Sequence, residues 1–251
     1  MKKIILMPLF VLLLPCRVFA GESIVAVAAN LTPVMNELKS AFEKESRGKL
    51  NIVTGSSGKL TEQIKNGAPF DVFLSADTEY PEILYQEGLT IDSPKVYVYG
   101  VLVLWTTRIN DLSDGIAVLN EPVIKKIALA DPRVAPYGRE AVNVLKYYKL
   151  YQGVNKKLVY GESIPQVNDF IVSGSADIGF TSKSTVFTPN LREKGDWVEI
   201  PAESYGRIAQ AVVILKHARD SDIQTAKRFY NFLFSPRAKD IFKKYGYTAD
   251  E

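Results

Sequence analysis

The clearest apolar signal is Ser23 to Ala29 (Ser-Ile-Val-Ala-Val-Ala-Ala), an almost continuous hydrophobic run bounded by polar residues. That is the pattern of a strand buried on both faces. Beyond it Leu31, Val34, Met35, Leu38, Ala41 and Phe42 recur at steps of three and four, which predicts an amphipathic helix. Pro33 is tolerated in its first turn, and Asn30 or Thr32 is placed to cap it. Leu50 to Val53 reads as a second strand, Leu60 to Lys65 as part of a second helix, and Asp71 to Leu74 as a third strand. This alternation predicts a parallel sheet covered by helices.

The alternation resumes after residue 107. Helices are predicted near Leu112 to Leu119, at Arg139 to Tyr148 and at Pro165 to Val172, and strands at Lys126 to Leu129, Leu158 to Tyr160 and Asp177 to Thr181. Val96 to Trp105 and Ala209 to Leu215, rich in Val, Leu and aromatic residues, read as two strands crossing between two lobes. The closing helices, Ser221 to Phe234 and one capped by Ser235, begun by Pro236 and ending near Tyr245, then return to the first lobe. The expected class is α/β, with residues 21–100 and 210–251 forming lobe 1 and 101–209 forming lobe 2. Two connecting strands make a hinge, and a cleft between lobes is a place for a ligand.

The N-terminus changes the bulk picture. Met1-Lys2-Lys3, the apolar run Ile4 to Leu14 and Val18-Phe19-Ala20 before Gly21-Glu22 have the form of a secretory signal peptide over residues 1–20, cut after Ala20. No segment reaches the roughly 18 to 20 apolar residues of a membrane helix. A soluble, exported, periplasmic protein is expected. The single cysteine, Cys16, would leave with the leader, which removes thiolate chemistry from the mature chain. Of 31 basic and 28 acidic residues, Lys2, Lys3 and Arg17 also leave, so 28 of each remain and the net charge is zero. That balance does not announce the basic face of a nucleic-acid binder. An anion would have to be held by local dipoles and hydrogen bonds.

Ligands of open α/β sheets bind beyond the carboxyl ends of the strands, where helix N-termini collect. Four junctions fall there: Ala28-Ala29-Asn30, Gly55-Ser56-Ser57-Gly58, Ala135-Pro136-Tyr137-Gly138 and Gly161-Glu162-Ser163-Ile164. The second puts two hydroxyls and two glycines between a strand and a helix, where successive N–H groups converge on an anion. These junctions imply a small ligand with several acceptor oxygens. Its donors would be the Asn30 amide, the Ser57 hydroxyl and backbone N–H groups around Ser57, Tyr137 and Ile164. The competing reading is structural: Asn30, Ser57 and Ser163 as helix caps and Tyr137 as a packed ring.

Other motifs fail on inspection. Ser56-Ser57-Gly58-Lys59 fits Ser-x-x-Lys, but the companion Ser-Asp-Asn and Lys-Thr-Gly motifs are absent, so a serine hydrolase using Ser56 or Ser57 remains only an alternative. Val53 and Leu60 stand where a phosphate loop needs Gly and Ser/Thr. Lys59 reads as an exposed first-turn lysine. His217, the only histidine, has no metal-ligand spacing and reads as a surface residue; Asp71 and Asp131 read as the start of a strand and of a turn. Asn30-Leu31-Thr32 fits a glycosylation acceptor, but its place at a buried strand end argues against use. No nucleophile is paired with a base, so no enzyme is expected.

With these residues assembled, the mature chain resembles the molybdate-binding periplasmic proteins that serve molybdate ABC transporters. The similarity runs through Val25 to Asn30, Gly55 to Lys59, Asn66 to Asp77, Ala130-Asp131-Pro132 with Ala135 to Gly138, and Ser235-Pro236 to Tyr247; Asn66-Gly-Ala-Pro-Phe-Asp-Val-Phe-Leu-Ser-Ala-Asp77 is its most specific part. The resemblance implies a type II periplasmic binding protein fold, two α/β lobes joined by two crossover strands. It also implies capture of molybdate, and of tungstate, as an oxyanion without a cation or cofactor, and delivery by a monomer to an inner-membrane ABC permease with its ATPase. Family ligand positions fall on Asn30, Ser57, Tyr137 and Ile164, with Ala29, Ser56, Gly58 and Ser182 as further candidates. Asn30 stands where many members have serine and donates through its amide. Ser182 stands where some contribute a tyrosine hydroxyl. Sulfate or phosphate on the same fold is the other ligand reading.

Overall fold

The first strand, β1 (Glu22–Ala28), is buried on both faces because its side chains feed two separate cores. Val25 and Val27 pack with Leu31, Val34, Leu38, Phe42, Phe229 and Phe242, while Ala26 packs with Leu60, Ile64, Phe73 and Val213 on the other side. The protein, described here from a computed structural model, is defined over residues 21–46 and 48–248. The expected leader, its cut after Ala20 and Cys16 lie outside the described residues.

After β1 a short 3-10 turn (Ala29–Leu31) leads into α1 (Thr32–Ser46), whose buried Val34, Met35, Leu38, Ala41 and Phe42 are the predicted stripe. The chain continues through β2 (Lys49–Gly55), α2 (Ser57–Lys65), β3 (Val72–Leu74), α3 (Glu79–Gln86), β4 (Lys95–Gly100) and β5 (Leu102–Thr106). Then follow β6 (Ile127–Ala130), α4 (Pro136–Tyr147), the single turn α5 (Tyr151–Val154), β7 (Leu158–Gly161), α6 (Ile164–Val172), β8 (Ile178–Ser182), the short α7 (Lys183–Val186) and β9 (Asp196–Glu199). The chain ends with β10 (Ile208–Ile214), α8 (Ile223–Phe232) and α9 (Pro236–Lys244).

Two five-stranded sheets result, ordered β2-β1-β3-β10-β4 and β7-β6-β8-β5-β9. Each is mixed rather than wholly parallel. β1 runs parallel to β2 and β3, but β10 is antiparallel to both β3 and β4; β6 runs parallel to β7 and β8, but β5 is antiparallel to β8 and β9. The antiparallel strands are those adjoining the passages between sheets.

Several expectations need correction. Val96 to Trp105 is not one strand but two, β4 and β5, in different sheets, with the break at Val101. Gly100, at the end of β4, makes room for the Tyr137 hydroxyl, which a Cβ there would meet at 2.0 Å. The helix predicted near Leu112 to Leu119 is a 3-10 segment, Gly115–Asn120. Gly115 has φ of 56°, a left-handed conformation that cannot continue a helix from before it. Helix α3 and strand β9 were not predicted. α8 starts at Ile223 because Asp222 caps it, accepting from the N–H groups of Gln224 and Thr225 at 3.1 and 3.0 Å. The predicted cap of α9 is present: Ser235 Oγ accepts from Ala238 N at 3.2 Å.

Candidate functional site

Three helices begin at the carboxyl ends of strands and face one cavity between the sheets: α2 after β2, α4 shortly after β6, and α6 after β7. At each start the cap position, Ser56, Ala135 or Ser163, supplies no side-chain cap hydrogen bond. First-turn N–H groups have no acceptor inside their own helix. Pro136 and Pro165 sit in the first turns of α4 and α6 and have no N–H, and Tyr137 and Ile164 are the first-turn residues there that carry one and line the cavity. Each helix also brings the positive end of its dipole.

The cavity leaves about 20 Å³ open to the centre of a water-sized sphere, room for only a few non-hydrogen atoms. Asn30, Ser57, Tyr137 and Ile164, the four principal sequence candidates, all line it, as do Ala29 and Ser56. So do Ala76 and Ser163, and no lining residue is charged. A larger space of about 560 Å³ lies elsewhere, beside the passage between the sheets, and is lined by none of these residues.

The hydrogen bonds show which groups are available. Ser57, 1% exposed, accepts at Oγ from Ala76 N at 3.0 Å, so its own proton is directed elsewhere. Two buried side-chain atoms among the described residues have no partner, Asn30 Oδ1 and Ser56 Oγ, and both belong to lining residues. Such groups cost about 1–3 kcal/mol when left unpaired, and in native proteins they concentrate at functional places. Gly58 and Ser182 differ from the other candidates. The Gly58 N–H donates to the Val134 carbonyl at 2.9 Å, which commits it to joining the lobes. Ser182 is buried against the hydroxyls of Ser184 and Thr185, at 2.8 and 3.1 Å, and does not line the cavity.

Beneath the cavity lies a polar network that the sequence did not disclose. Asn30 Nδ2 donates to Gln210 Oε1 at 3.0 Å, Tyr97 Oη donates to the same Oε1 at 3.4 Å, and Gln210 Nε2 donates to Tyr137 Oη at 3.4 Å. Tyr247 Oη donates to the Asn30 carbonyl at 2.9 Å, and Ser184 Oγ reaches the same carbonyl at 3.0 Å. Asn30 is therefore not a helix cap; its amide belongs to this network. Burial pushes the Tyr97, Tyr137 and Tyr247 phenols well above their ordinary range, so all three stay neutral donors at physiological pH.

The cavity mouth is closed by contacts between lobes. Arg139, on α4, pairs with Asp77 and Glu79, the latter at 3.2 Å, and its guanidinium lies 5.3 Å from the Tyr80 ring centre. Tyr80 Oη donates to the Arg133 carbonyl at 3.2 Å, and Lys59 pairs with Glu162 at 2.6 Å. Lys59 is half exposed, as its place on the first turn implied, but it has an interlobe partner. Burial raises the Asp77 carboxyl above its usual range, and the Arg139 charge opposes that rise. Asp131 is held below its usual range by hydrogen bonds from Arg133, a local pair in the turn after β6.

His217, expected at the surface, is partly exposed, and Asp71, expected to begin a strand, stands directly before β3; the structure adds that the two are paired. His217 is 38% exposed in its side chain, with Nδ1 2.8 Å from Asp71 Oδ1. Asp71, 1% exposed, also accepts from Ile24 N at 2.7 Å and from the Ser23 and Ser221 hydroxyls. It ties β1 and β3 to the segment after β10, and neither residue lines the cavity. Among the described residues there is no group of three or more His, Cys, Asp or Glu that could hold a metal ion, and no helix long and apolar enough to cross a membrane.

The chain and its fold are similar to known proteins. Residues 24–248 match the family described as bacterial extracellular solute-binding protein. The molybdate-binding protein ModA of Azotobacter vinelandii is 39% identical over 236 residues, covering 94% of this chain and 93% of the relative. The molybdate-binding protein ModA of Rhodobacter capsulatus is 37% identical over 232 residues, covering 92% and 90%. The solved structure of the Azotobacter vinelandii periplasmic molybdate-binding protein superposes with a TM-score of 0.85 at 31% identity, covering 91% of this chain and all of that one. The two mixed sheets and the cleft between them are the type II periplasmic binding protein fold.

Proposed function

The chain belongs to the bacterial extracellular solute-binding proteins, and we propose that within this family it captures molybdate and delivers it to an ABC transporter. One observation carries the reading: a cavity enclosed by both lobes, lined by hydroxyl, amide and first-turn N–H donors and by no charged residue. A fully ionised tetrahedral oxyanion needs donors on all sides and offers no proton in return. Neutral donors hold it in a dry site and release it when the lobes part. The names of the two relatives at 37–39% identity choose molybdate among such anions.

Asn30 and Ser57 would contribute side-chain donors, and Tyr137 and Ile164 backbone N–H groups; Ala29 and Ser56 stand beside them. Tungstate, equal in charge and shape, is a second ligand. The anion enters while the lobes are apart, and closure brings Gly58 to Val134, Arg139 to Asp77 and Lys59 to Glu162. A permease with its ATPase then reads the closed form of a periplasmic monomer. We read the role as non-catalytic, as the solute-binding family suggests; of the two serines in the hydrolase alternative, Ser56 Oγ has no hydrogen-bond partner and Ser57 Oγ accepts from Ala76 N, so neither is bonded to a base.

Isothermal titration of the anion-free protein with molybdate, tungstate, sulfate and phosphate tests this. One-to-one heat from the first two alone is expected. Heat from sulfate or phosphate alone would reassign the ligand on the same fold.

A further inference from the structure

Gln210 touches both ends of the candidate site without lining it. It is wholly buried on β10, at the point where the β10–β4 register shifts between Gln210 and Ala211. Its carboxamide lies between Asn30, which follows β1 in the first lobe, and Tyr137, on the first turn of α4 in the second. In the structure Asn30 directs Nδ2 to Gln210, and its Oδ1 is the buried acceptor with no partner. An acceptor is the wrong group to meet an oxyanion. The two ends of a carboxamide are nearly equal in size, so a half-turn needs no extra space, but it must be matched by the neighbour. Gln210 is the side chain able to match it, since it too has a donor end and an acceptor end.

We propose that Gln210 is a positioning residue that sets the polarity of the Asn30 amide. When the anion enters, the two carboxamides turn together. Asn30 Nδ2 then donates to the anion, Asn30 Oδ1 accepts from Gln210 Nε2, and Gln210 Oε1 accepts from the Tyr137 hydroxyl. Tyr97 Oη, now an acceptor, receives the second Nε2 proton. Each of the three Gln210 contacts present before the turn has a counterpart after it, with donor and acceptor exchanged. The Tyr247 hydroxyl gives its one proton to the Asn30 carbonyl at 2.9 Å and loses only the long 3.4 Å contact from Asn30 Nδ2. The relay aims donors inward at the cavity and so favours an anion that only accepts. It also links the ligand to both lobes through the strand that joins them.

This inference rests on the oxyanion reading, and the test separates the two. Molybdate is titrated calorimetrically into wild type, Q210L, Q210E and Y137F, and the side-chain amide signals of the ¹⁵N-labelled proteins are followed by NMR. The Gln210 signals are those missing from Q210L. They are expected to shift on saturation of wild type, although Gln210 does not line the cavity. Q210L is expected to bind at least tenfold more weakly. Q210E, acceptor-only when ionised, should bind more weakly still at pH 8 and regain affinity toward pH 6 as the new carboxyl takes a proton, while wild type stays level. A purely structural Gln210 would not produce that pH profile. Y137F keeps the backbone N–H and loses only the hydroxyl; it should bind several-fold more weakly, and it carries the test if Q210L does not fold. Unmoved Gln210 signals, Q210E binding like wild type at pH 8, or Y137F binding like wild type would each overturn the relay. A wild type giving no heat with molybdate would remove the oxyanion reading and the relay with it.

Discussion

Replacing Ser57 by alanine should separate two roles that one hydroxyl performs. Ser57 Oγ accepts from the buried Ala76 N–H at 3.0 Å and keeps its own proton for the cavity. S57A leaves the Ala76 N–H unpaired whether or not ligand is bound, so that loss falls on stability and largely cancels from binding. A buried unpaired N–H costs about 1–3 kcal/mol, which for a chain of this size lowers Tm by roughly 2–12 °C. The missing donor falls on binding. A hydrogen bond to a charged group is worth about 1.5–3 kcal/mol, so Kd should rise about 10- to 150-fold. Scanning calorimetry of the ligand-free protein and molybdate titration of the same sample read the two quantities independently. A lowered Tm with wild-type Kd would refute the argument, because Ser57 would then be a structural serine alone.

Three further outcomes follow from contacts between and within the lobes. G58A adds a Cβ that would lie 3.0 Å from Val134 Cα, a backbone contact across the closed cleft, and 2.7 Å from Tyr80 Oη, the far end of a side chain in its own lobe that can give way. Alanine is the better helix former, so ligand-free Tm should not fall, while Kd rises on the order of tenfold from overpacking; titration and melting of one preparation decide. R139A removes the partner of the largely buried Asp77 and should weaken molybdate binding on the order of tenfold without touching the ligand. Small-angle scattering should then show a larger radius of gyration at subsaturating molybdate than for wild type. Glu37, bonded by Lys244 at 2.8 Å and Tyr245 at 3.1 Å, is held below its ordinary value of 4.5, first by the Lys244 hydrogen bond. A depressed folded pKa contributes stability above the unfolded value and loses it as pH falls through the folded one. E37Q should therefore melt lower than wild type at pH 7, and the gap should narrow once pH falls below 4.5 and close as it passes through the depressed folded value.

What the sequence disclosed depended on the range of the contacts involved. The stripe Val34, Met35, Leu38, Ala41 and Phe42 and the run around Val25 to Ala28 carry their burial in their own spacing, so α1 and β1 were legible. The junctions at Asn30, Ser57, Tyr137 and Ile164 were visible as turn and capping residues at strand ends, and the structure gathers all four at one cavity. The break at Val101 lies inside an unbroken apolar run and shows only in the division of β4 and β5 between two sheets, and Gly100 gave no local sign that its missing Cβ makes way for Tyr137. Strand β9 reads poorly because Asp196 and Glu199 are exposed and only Trp197 and Val198 are half buried. Asn30 and Gln210 lie 180 positions apart, and Asp71 and His217 lie 146 apart; neither pairing leaves a pattern in either segment. The pairing of Asp77 with Arg139 likewise left no pattern in either segment, because it forms only where the two lobes meet.

The most direct test of the central claim is a crystal of the molybdate complex measured at the molybdenum absorption edge. The account predicts one anomalous peak in the cavity, its oxygens within hydrogen-bond distance of Asn30 Nδ2, Ser57 Oγ and the backbone N–H groups of Tyr137 and Ile164, with no lysine or arginine in contact. A peak held by basic side chains elsewhere, or none at saturating molybdate, would contradict it.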